Sequence, residues 1–311
     1  MGIAILSGVI SSLSDMRSSA YSVPQSGIST PLEETPALLP TRFVACVRRT
    51  ESAKKIHASL GAPSSQLTTL VNDNLKGVQA ADVVLLGCKP QMFRDILQAP
   101  GIKEALAGKL LISILAGVTV DQFEEALYGS IWTPQSADEA YPKDRCRFVR
   151  AMPNTASFVR ESMTVIATSS PPLPEPQAAL VNWIFTRIGR VVKLPASAMD
   201  ASTALCGSGP AFMALMLEAM ADGAVAMGLP RAEAQLMAAQ TMRGTTGLVL
   251  NGEHPAILRD KVSTPGGCTI GGLLVLEEGS IRGTVARAVR EATVVAGQLG
   301  KGVVGVNGTR W

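Results

Sequence analysis

Histidine is scarce: His57 and His254 are the only two in 311 residues. A histidine-based metal site or a Ser-His-Asp triad therefore has few candidates, and no motif supports either. The five cysteines, Cys46, Cys88, Cys146, Cys206 and Cys268, show no C-x-x-C spacing, so reduced thiols in a cytoplasmic protein are expected. The first residues lack a basic segment and a signal cleavage pattern. An excess of one charge is missing too. With 28 basic and 25 acidic side chains the net charge is +3, and the basic residues are scattered, which argues against nucleic-acid binding. Glu218 and Asp222 interrupt the richest apolar run before it reaches about 18 residues, so no membrane span is expected.

Apolar residues are abundant instead: 47% of the chain, with a mean hydropathy of +0.25. Such a chain can bury a sizeable core in two domains, and buried subunit interfaces account for the excess. Met1 to Ile10 reads as the start of an amphipathic helix. A Ser-, Thr- and Pro-rich loop is expected from about Ser14 to Pro40, and a second polar insertion from about Tyr128 to Asp144. Between and after them, Arg42–Val47, Ala81–Pro90, Leu110–Leu115, Arg147–Met152, Met163–Thr168 and Val191–Leu194 read as short apolar strands. Helices are expected near residues 50–60, Asp121–Tyr128 and Glu175–Ile188. This alternation predicts an α/β fold with an open, mainly parallel sheet over residues 1–195.

After Pro195 the pattern turns helical, and residues 196–311 are expected to form a helical domain. Pro210 suits the first position of a helix ending near Met227. Phe212, Met213, Leu215, Met216, Leu217, Met220, Val225 and Met227 leave it almost no polar face, so it should be buried on all sides. A helical domain this small cannot bury it alone, which points to an interleaved homodimer; gap-filling in a monomer core is the alternative. Further helices are expected at about Arg231–Leu250 and Val285–Gln298.

Within that half, Ser263-Thr264-Pro265-Gly266-Gly267-Cys268-Thr269 forms a tight bend before a helix that starts near Ile270 and ends at Gly279. Unpaired N–H groups at such a helix start can hold a carboxylate, and Thr269 lies in the first turn. An ordinary Gly-rich helix start remains the plain alternative. Further back stands Asp200-Ala201-Ser202-Thr203-Ala204-Leu205-Cys206-Gly207-Ser208-Gly209-Pro210-Ala211-Phe212.

Together the two segments resemble the signatures D-x-x-T-A-L-S-G-S-G-P-A-Y and V-x-S-P-G-G-x-T-I of the pyrroline-5-carboxylate reductase family. Cys206, Phe212 and Thr264 depart mildly from the usual Ser, Tyr and Ser. The resemblance runs from about Phe43 to about Gly300. It implies a Rossmann-type domain followed by a helical dimerisation domain. It also implies NAD(P)H-dependent reduction of the cyclic imine 1-pyrroline-5-carboxylate to L-proline. Ligands of open α/β sheets bind beyond the carboxyl ends of the strands. By resemblance the cofactor would meet Gly2, Arg48, Arg49, Asn74, Gly87, Cys88, Lys89, Pro90, Ala116, Gly117 and Asn154. Two arginines stand where a site for the unphosphorylated cofactor has an acidic residue, so NADPH is expected, with NADH admissible.

For the substrate, Ser263, Thr264 and the amides of Gly266, Gly267 and Cys268 would hold the carboxylate. Thr269 Oγ1 would meet the imine nitrogen as the catalytic contact. Cys206 and Cys268 are read as small fillers, not nucleophiles. No metal is expected. The family opens on a strand and a G-x-G-x-x-G turn, whereas Met1-Gly2 aligns with the last two positions of that turn. Two strands are therefore expected to keep unpaired edges, and cofactor binding to be weak. A start misplaced at an internal methionine would give the same sequence. The alternatives are an impaired paralogue that keeps only the dimer scaffold, and a 3-hydroxyacid dehydrogenase-like enzyme. The latter lacks its catalytic lysine on the helix from Pro210.

Overall fold

A computed structural model describes residues 1–19, 35–60, 66–134 and 139–303. The first unit comprises Met1–Gly207 together with the chain from Thr293 onward, and the second is Ser208–Ala292. The loop expected at Ser14–Pro40 is corrected at its start, because α1 (Gly2–Ser19) continues through Ser14; residues 20–34 lie outside the described residues.

In the first unit, β1 (Phe43–Val47), α2 (Thr50–Leu60), β2 (Leu67–Val71) and α3 (Asn74–Gln79) precede β3 (Val83–Leu86). Then come α4 (Phe93–Leu97), α5 (Ile102–Ala105), β4 (Leu110–Ser113), α6 (Val120–Tyr128), β5 (Arg147–Met152), β6 (Ser162–Ala167), α7 (Glu175–Thr186), β7 (Gly189–Leu194) and α8 (Met199–Ser202). Two ladders result. β1 and β2 form a parallel pair, and the larger sheet has the order β3-β4-β5-β6-β7, parallel except between β5 and β6. No described strand pairs with the second edge of β1 or of β3.

Alternation along β4 sorts its side chains onto the two faces of the sheet. Leu110 and Ile112 enter a core with Ile5, Val9 and Leu13 of α1 and Val181, Ile184 and Phe185 of α7. Leu111 enters the opposite core, with Phe93, Leu97, Phe123 and Phe148. Every residue of β4 is buried, as expected for a strand covered on both faces. Phe43 of β1 and Val83 and Leu85 of β3 pack on the first of these cores, so α1 serves both ladders although no backbone bond joins them.

The second polar insertion is pinned where it is described. Glu124 of α6, 4% exposed, accepts from Trp132 N at 2.6 Å and lies 3.0 Å from the Tyr141 hydroxyl and 3.6 Å from Arg145 Nη2. Arg145 stacks 3.9 Å over the Tyr128 ring. Tyr128 Oη in turn accepts from Cys146 N at 2.7 Å. Burial of the Tyr141 phenol beside Glu124 raises its pKa, so it remains a donor at neutral pH.

The second unit holds α9 (Gly209–Ala226), α10 (Arg231–Leu250), α11 (Pro255–Val262), α12 (Cys268–Glu278) and the first part of α13 (Ile281–Gly300). Burial of α9 on all sides does not hold within one chain. Ala221 is its only buried residue, while Met213, Leu215 and Met220 are 42%, 67% and 49% exposed. Leu236 and Met237 of α10 and Leu274 and Val275 of α12 are exposed as well. Ala196–Ala226 is long and apolar enough to cross a membrane by length and composition only.

Replacing Glu124 with Ala leaves Arg145 without its buried partner and should destabilise the first unit by about 3 kcal/mol. Thermal unfolding followed by near-ultraviolet dichroism checks this. An unchanged melting temperature would show that the insertion is held by its aromatic packing alone.

Candidate functional site

The carboxyl edge of the larger sheet carries most of the proposed cofactor residues. Gly87, Cys88, Lys89 and Pro90 follow β3, with Gly87 and Lys89 exposed. Ala116 and Gly117 follow β4. Gly117 has φ +74°, and a Cβ there would stand 2.5 Å from Ala296 O and Gly300 N, so α13 can close on this turn only over a glycine. Gln122 Nε2 secures the same junction by donating to Gly300 O at 2.6 Å.

Asn154 follows β5, and its side chain is engaged inside the protein. Oδ1 accepts from Ala156 N at 3.0 Å and Nδ2 donates to Cys206 O at 3.0 Å. Gly2 stands at the start of α1, near the loop after β5: Met1 Sδ lies 3.5 Å from Ser157 Oγ, and Arg160 Nη2 donates to Ser11 Oγ at 2.6 Å. Ala116, Met152 and Cys206 share one small cluster with Met199, Val165 and Ala167. On the smaller ladder, Arg48 and Arg49 follow β1 and are exposed, with no ion pair to any described residue. Asn74 opens α3, which Asp73 caps by accepting from Lys76 N at 3.1 Å. Of these residues the structure puts Ala116 in the Met152 cluster and ties Asn154 to Cys206 of the same cluster, with Gly117 against α13 and Arg48, Arg49 and Asn74 after β1 and β2.

In the second unit, α11 ends at Ser263, whose Oγ donates to Arg259 O at 2.8 Å. The bend follows. Gly266 has φ +69°, and a Cβ on Gly267 would run into Thr264 Oγ1. Gly267 corrects one expectation, since its N–H donates to Thr264 O at 3.0 Å. The N–H groups of Gly266, Cys268, Thr269 and Ile270 have no partner among the described residues, as expected at the start of an eleven-residue helix without a side-chain cap. Thr269 is half-buried in its first turn.

Residues 196–299 match the family model described as pyrroline-5-carboxylate reductase dimerisation. Residues 27–117 match the model described as NADP oxidoreductase coenzyme F420-dependent. The sequence is 62% identical to a pyrroline-5-carboxylate reductase of Lophium arboricola, over 100% of this chain and 94% of that one. It is 54% identical to that of Neurospora crassa, over 100% and 93%. The chain belongs to the pyrroline-5-carboxylate reductase family. Solved structures agree. The reductase of Coxiella burnetii superposes with a TM-score of 0.68 at 29% identity, over 84% of this chain and 89% of that one. The Plasmodium falciparum pyrroline carboxylate reductase, with NADP bound, gives 0.65 at 28% identity, over 77% and 85%. The Rossmann-like sheet followed by a helical dimerisation domain is therefore the fold of the family, as the two signatures implied.

Cys206 is half-buried as expected of a filler, whereas Cys268, read in the same way, is exposed. Burial raises the Cys206 and Cys88 thiols and pushes Cys146 up to about 12, so none of the three is a thiolate at neutral pH. Cys46 and Cys268 are exposed, unlike the apolar surroundings their neighbours suggest. Three features escape a reading by motif: β2 with α3, the helix α11 before the bend, and Arg150. The signal for Arg150 is one long cation inside the apolar strand Phe148-Val149-Arg150-Ala151-Met152.

Gly267→Ala should displace Thr264 and open the bend, raising KM for a carboxylate-bearing substrate by roughly tenfold, the equivalent of one good hydrogen bond. Steady-state kinetics decides, and an unchanged KM would remove the bend from substrate binding.

Proposed function

We propose that the chain reduces 1-pyrroline-5-carboxylate to L-proline with NADPH, and the observation that carries this reading is the bend at Gly266–Thr269. Partnerless amides at a helix start attract a carboxylate, and a threonine hydroxyl stands one residue into the same turn. In this reading the Gly266 and Cys268 N–H groups hold the substrate carboxylate, with the Ser263 and Thr264 hydroxyls beside it. Thr269 Oγ1 donates to the imine nitrogen and orients the ring. Gly267 shapes the turn.

The first unit suits a dinucleotide on two observations. The exposed Arg48 and Arg49 make no ion pair among the described residues, which fits a ribose 2′-phosphate. The α1 helix begins at Gly2 beside the loop after β5, where a pyrophosphate would meet first-turn amides. When bound, the cofactor would supply a hydride to the imine carbon, and the nitrogen would bring its proton as the protonated imine or take it from solvent. The protein's part is to hold both partners and exclude water.

A homodimer is part of the reading. The apolar side chains of α9, α10 and α12 that one chain leaves exposed need a cover, and these helices lie within residues 196–299, the stretch that matches the dimerisation model. The same cover removes the need for a membrane around Ala196–Ala226. A division near 195–196 between cofactor and dimerisation domains follows the limits of that match. By contacts within one chain, however, α8 and the turn after it stay with the sheet up to Gly207. Cytoplasmic location is proposed with it. A second reading, a dimer scaffold with impaired turnover, is favoured by the edges of β1 and β3 that no described strand pairs.

NADPH oxidation by the purified chain with the imine as substrate separates the two readings, and a fluorescence titration with NADPH measures cofactor binding directly. Thr269→Ala should lower kcat by roughly 100-fold, as for loss of one donor to a developing charge. Full turnover in that variant would remove Thr269 from the mechanism. Arg48→Ser with Arg49→Ser should raise KM for NADPH by about tenfold or more and spare NADH. An equal loss with both cofactors would sink the 2′-phosphate assignment.

A further inference from the structure

The turn between β4 and α6 is anchored on both sides of its apex. Leu115 and Val118 are 2% and 1% exposed and belong to the core that holds Phe93 and Phe123. Ala116 and Gly117 form the apex, at the carboxyl edge of the sheet. Ala116 packs into the small cluster of Met152 and Cys206. Gly117 meets backbone instead. A Cβ on it would stand 2.5 Å from Ala296 O and Gly300 N, and a Cβ on Gly300 would run into Gly117 O. The turn and α13 therefore cross where neither can carry a side chain. At Gly117 the positive φ already favours glycine. Gly300 has no such reason, since it lies in the last turn of α13, where alanine suits a helix better. The close approach is what a glycine there serves.

One side chain closes the crossing. Gln122 is the third residue of α6, and its Oε1 accepts from Thr119 N at 2.9 Å in a capping box. A backbone N–H can only donate, so this bond turns Oε1 toward Thr119 and leaves Nε2 for Gly300 O, which accepts at 2.6 Å. Gly300 O is among the last carbonyls of α13, which have no partner within their own helix. The same amide thus caps the start of α6 and the end of α13, with the Gly117 turn held between them.

We infer that Gln122 is a positioning residue for the dinucleotide: by latching the last turn of α13 onto Gly117, it fixes the Ala116–Gly117 turn in the form that the cofactor meets. The inference rests on the reading that this edge holds the dinucleotide. If Gln122 served only to cap α6, a change that keeps the capping box would leave cofactor binding untouched.

Gln122→Glu and Gln122→Lys separate the two roles. The first keeps an acceptor for Thr119 N but faces Gly300 O with a carboxylate, which cannot donate. The second keeps a donor for Gly300 O and loses the box. In Gln122→Glu the Kd for NADPH, read by fluorescence titration, rises by about tenfold, as for loss of one hydrogen bond. kcat at saturating NADPH and KM for the imine change by less than about threefold, because the bend at Gly266–Thr269 is untouched. The Lys301 and Gly302 amides bond to Gln298 O and Leu299 O at the end of α13. Their exchange quickens by about tenfold as that end frays. Gln122→Lys stays near wild type in both measurements. Gly300→Ala opens the same crossing from α13 and matches Gln122→Glu, and the two combined add little, since they break one junction.

A wild-type Kd in Gln122→Glu, an equal loss in Gln122→Lys, or losses that multiply in the double variant overturn the proposal. Tighter NADPH binding overturns it too, because α13 would then be shielding the turn from the cofactor. Should Gly300→Ala not fold, the two Gln122 variants carry the comparison. Absence of NADPH binding by the wild-type chain would defeat the functional reading instead, and exchange at Lys301 and Gly302 would then decide the latch by itself.

Discussion

Burial of β4 and β5 on both faces is the constraint from which the first unit follows. A parallel strand covered on both sides can expose functional groups only at its ends, so the polar and glycine-containing turns collect at the carboxyl edge. Ala116 and Gly117 leave β4 there, and Asn154 leaves β5. The same burial explains why Asn154 is engaged within the protein: a carboxamide 9% exposed has to satisfy its polar atoms locally, and Ala156 N and Cys206 O do so. Its contribution is to hold the turn after β5 to the Cys206 carbonyl.

The second unit follows the opposite logic. Its helices are apolar over surfaces that a single chain leaves open, and the side chains of α9 are the clearest case. A helix with almost no polar face cannot rest in water, so its stability belongs to an assembly. The bend at Gly266–Thr269 belongs to this unit. Its geometry is local: one positive φ, one close approach at Gly267, and a helix that starts without a cap. That locality is why a short motif is enough to identify it.

Elements with a strong local pattern were legible. The helices at residues 50–60 and 231–250 have the bounds expected of them, and β3, β4 and β5 stand where continuous apolar runs place them. β2 was not, because Leu67-Thr68-Thr69-Leu70-Val71 looks like a polar connection until it pairs with β1. α11 was missed because Pro255 and the charged run to Lys261 carry no apolar stripe of the usual kind. The insertion after Tyr128 read as polar and loose. In the fold its Trp132, Tyr141 and Arg145 converge on Glu124, contacts that join residues from Glu124 to Arg145.

From the sequence alone came the family, the sheet-then-helices order and the bend at Gly266–Thr269, because each depends on neighbours within a few residues or on a motif at fixed spacing. Tertiary structure decided which of those groups are available. It turned Gly267 N–H inward to Thr264, fixed the Asn154 carboxamide on Cys206, and buried Arg150 with its Nε and Nη2 unpartnered. Each of these outcomes depends on how solvent is excluded between segments distant in the chain, and no local pattern encodes that exclusion.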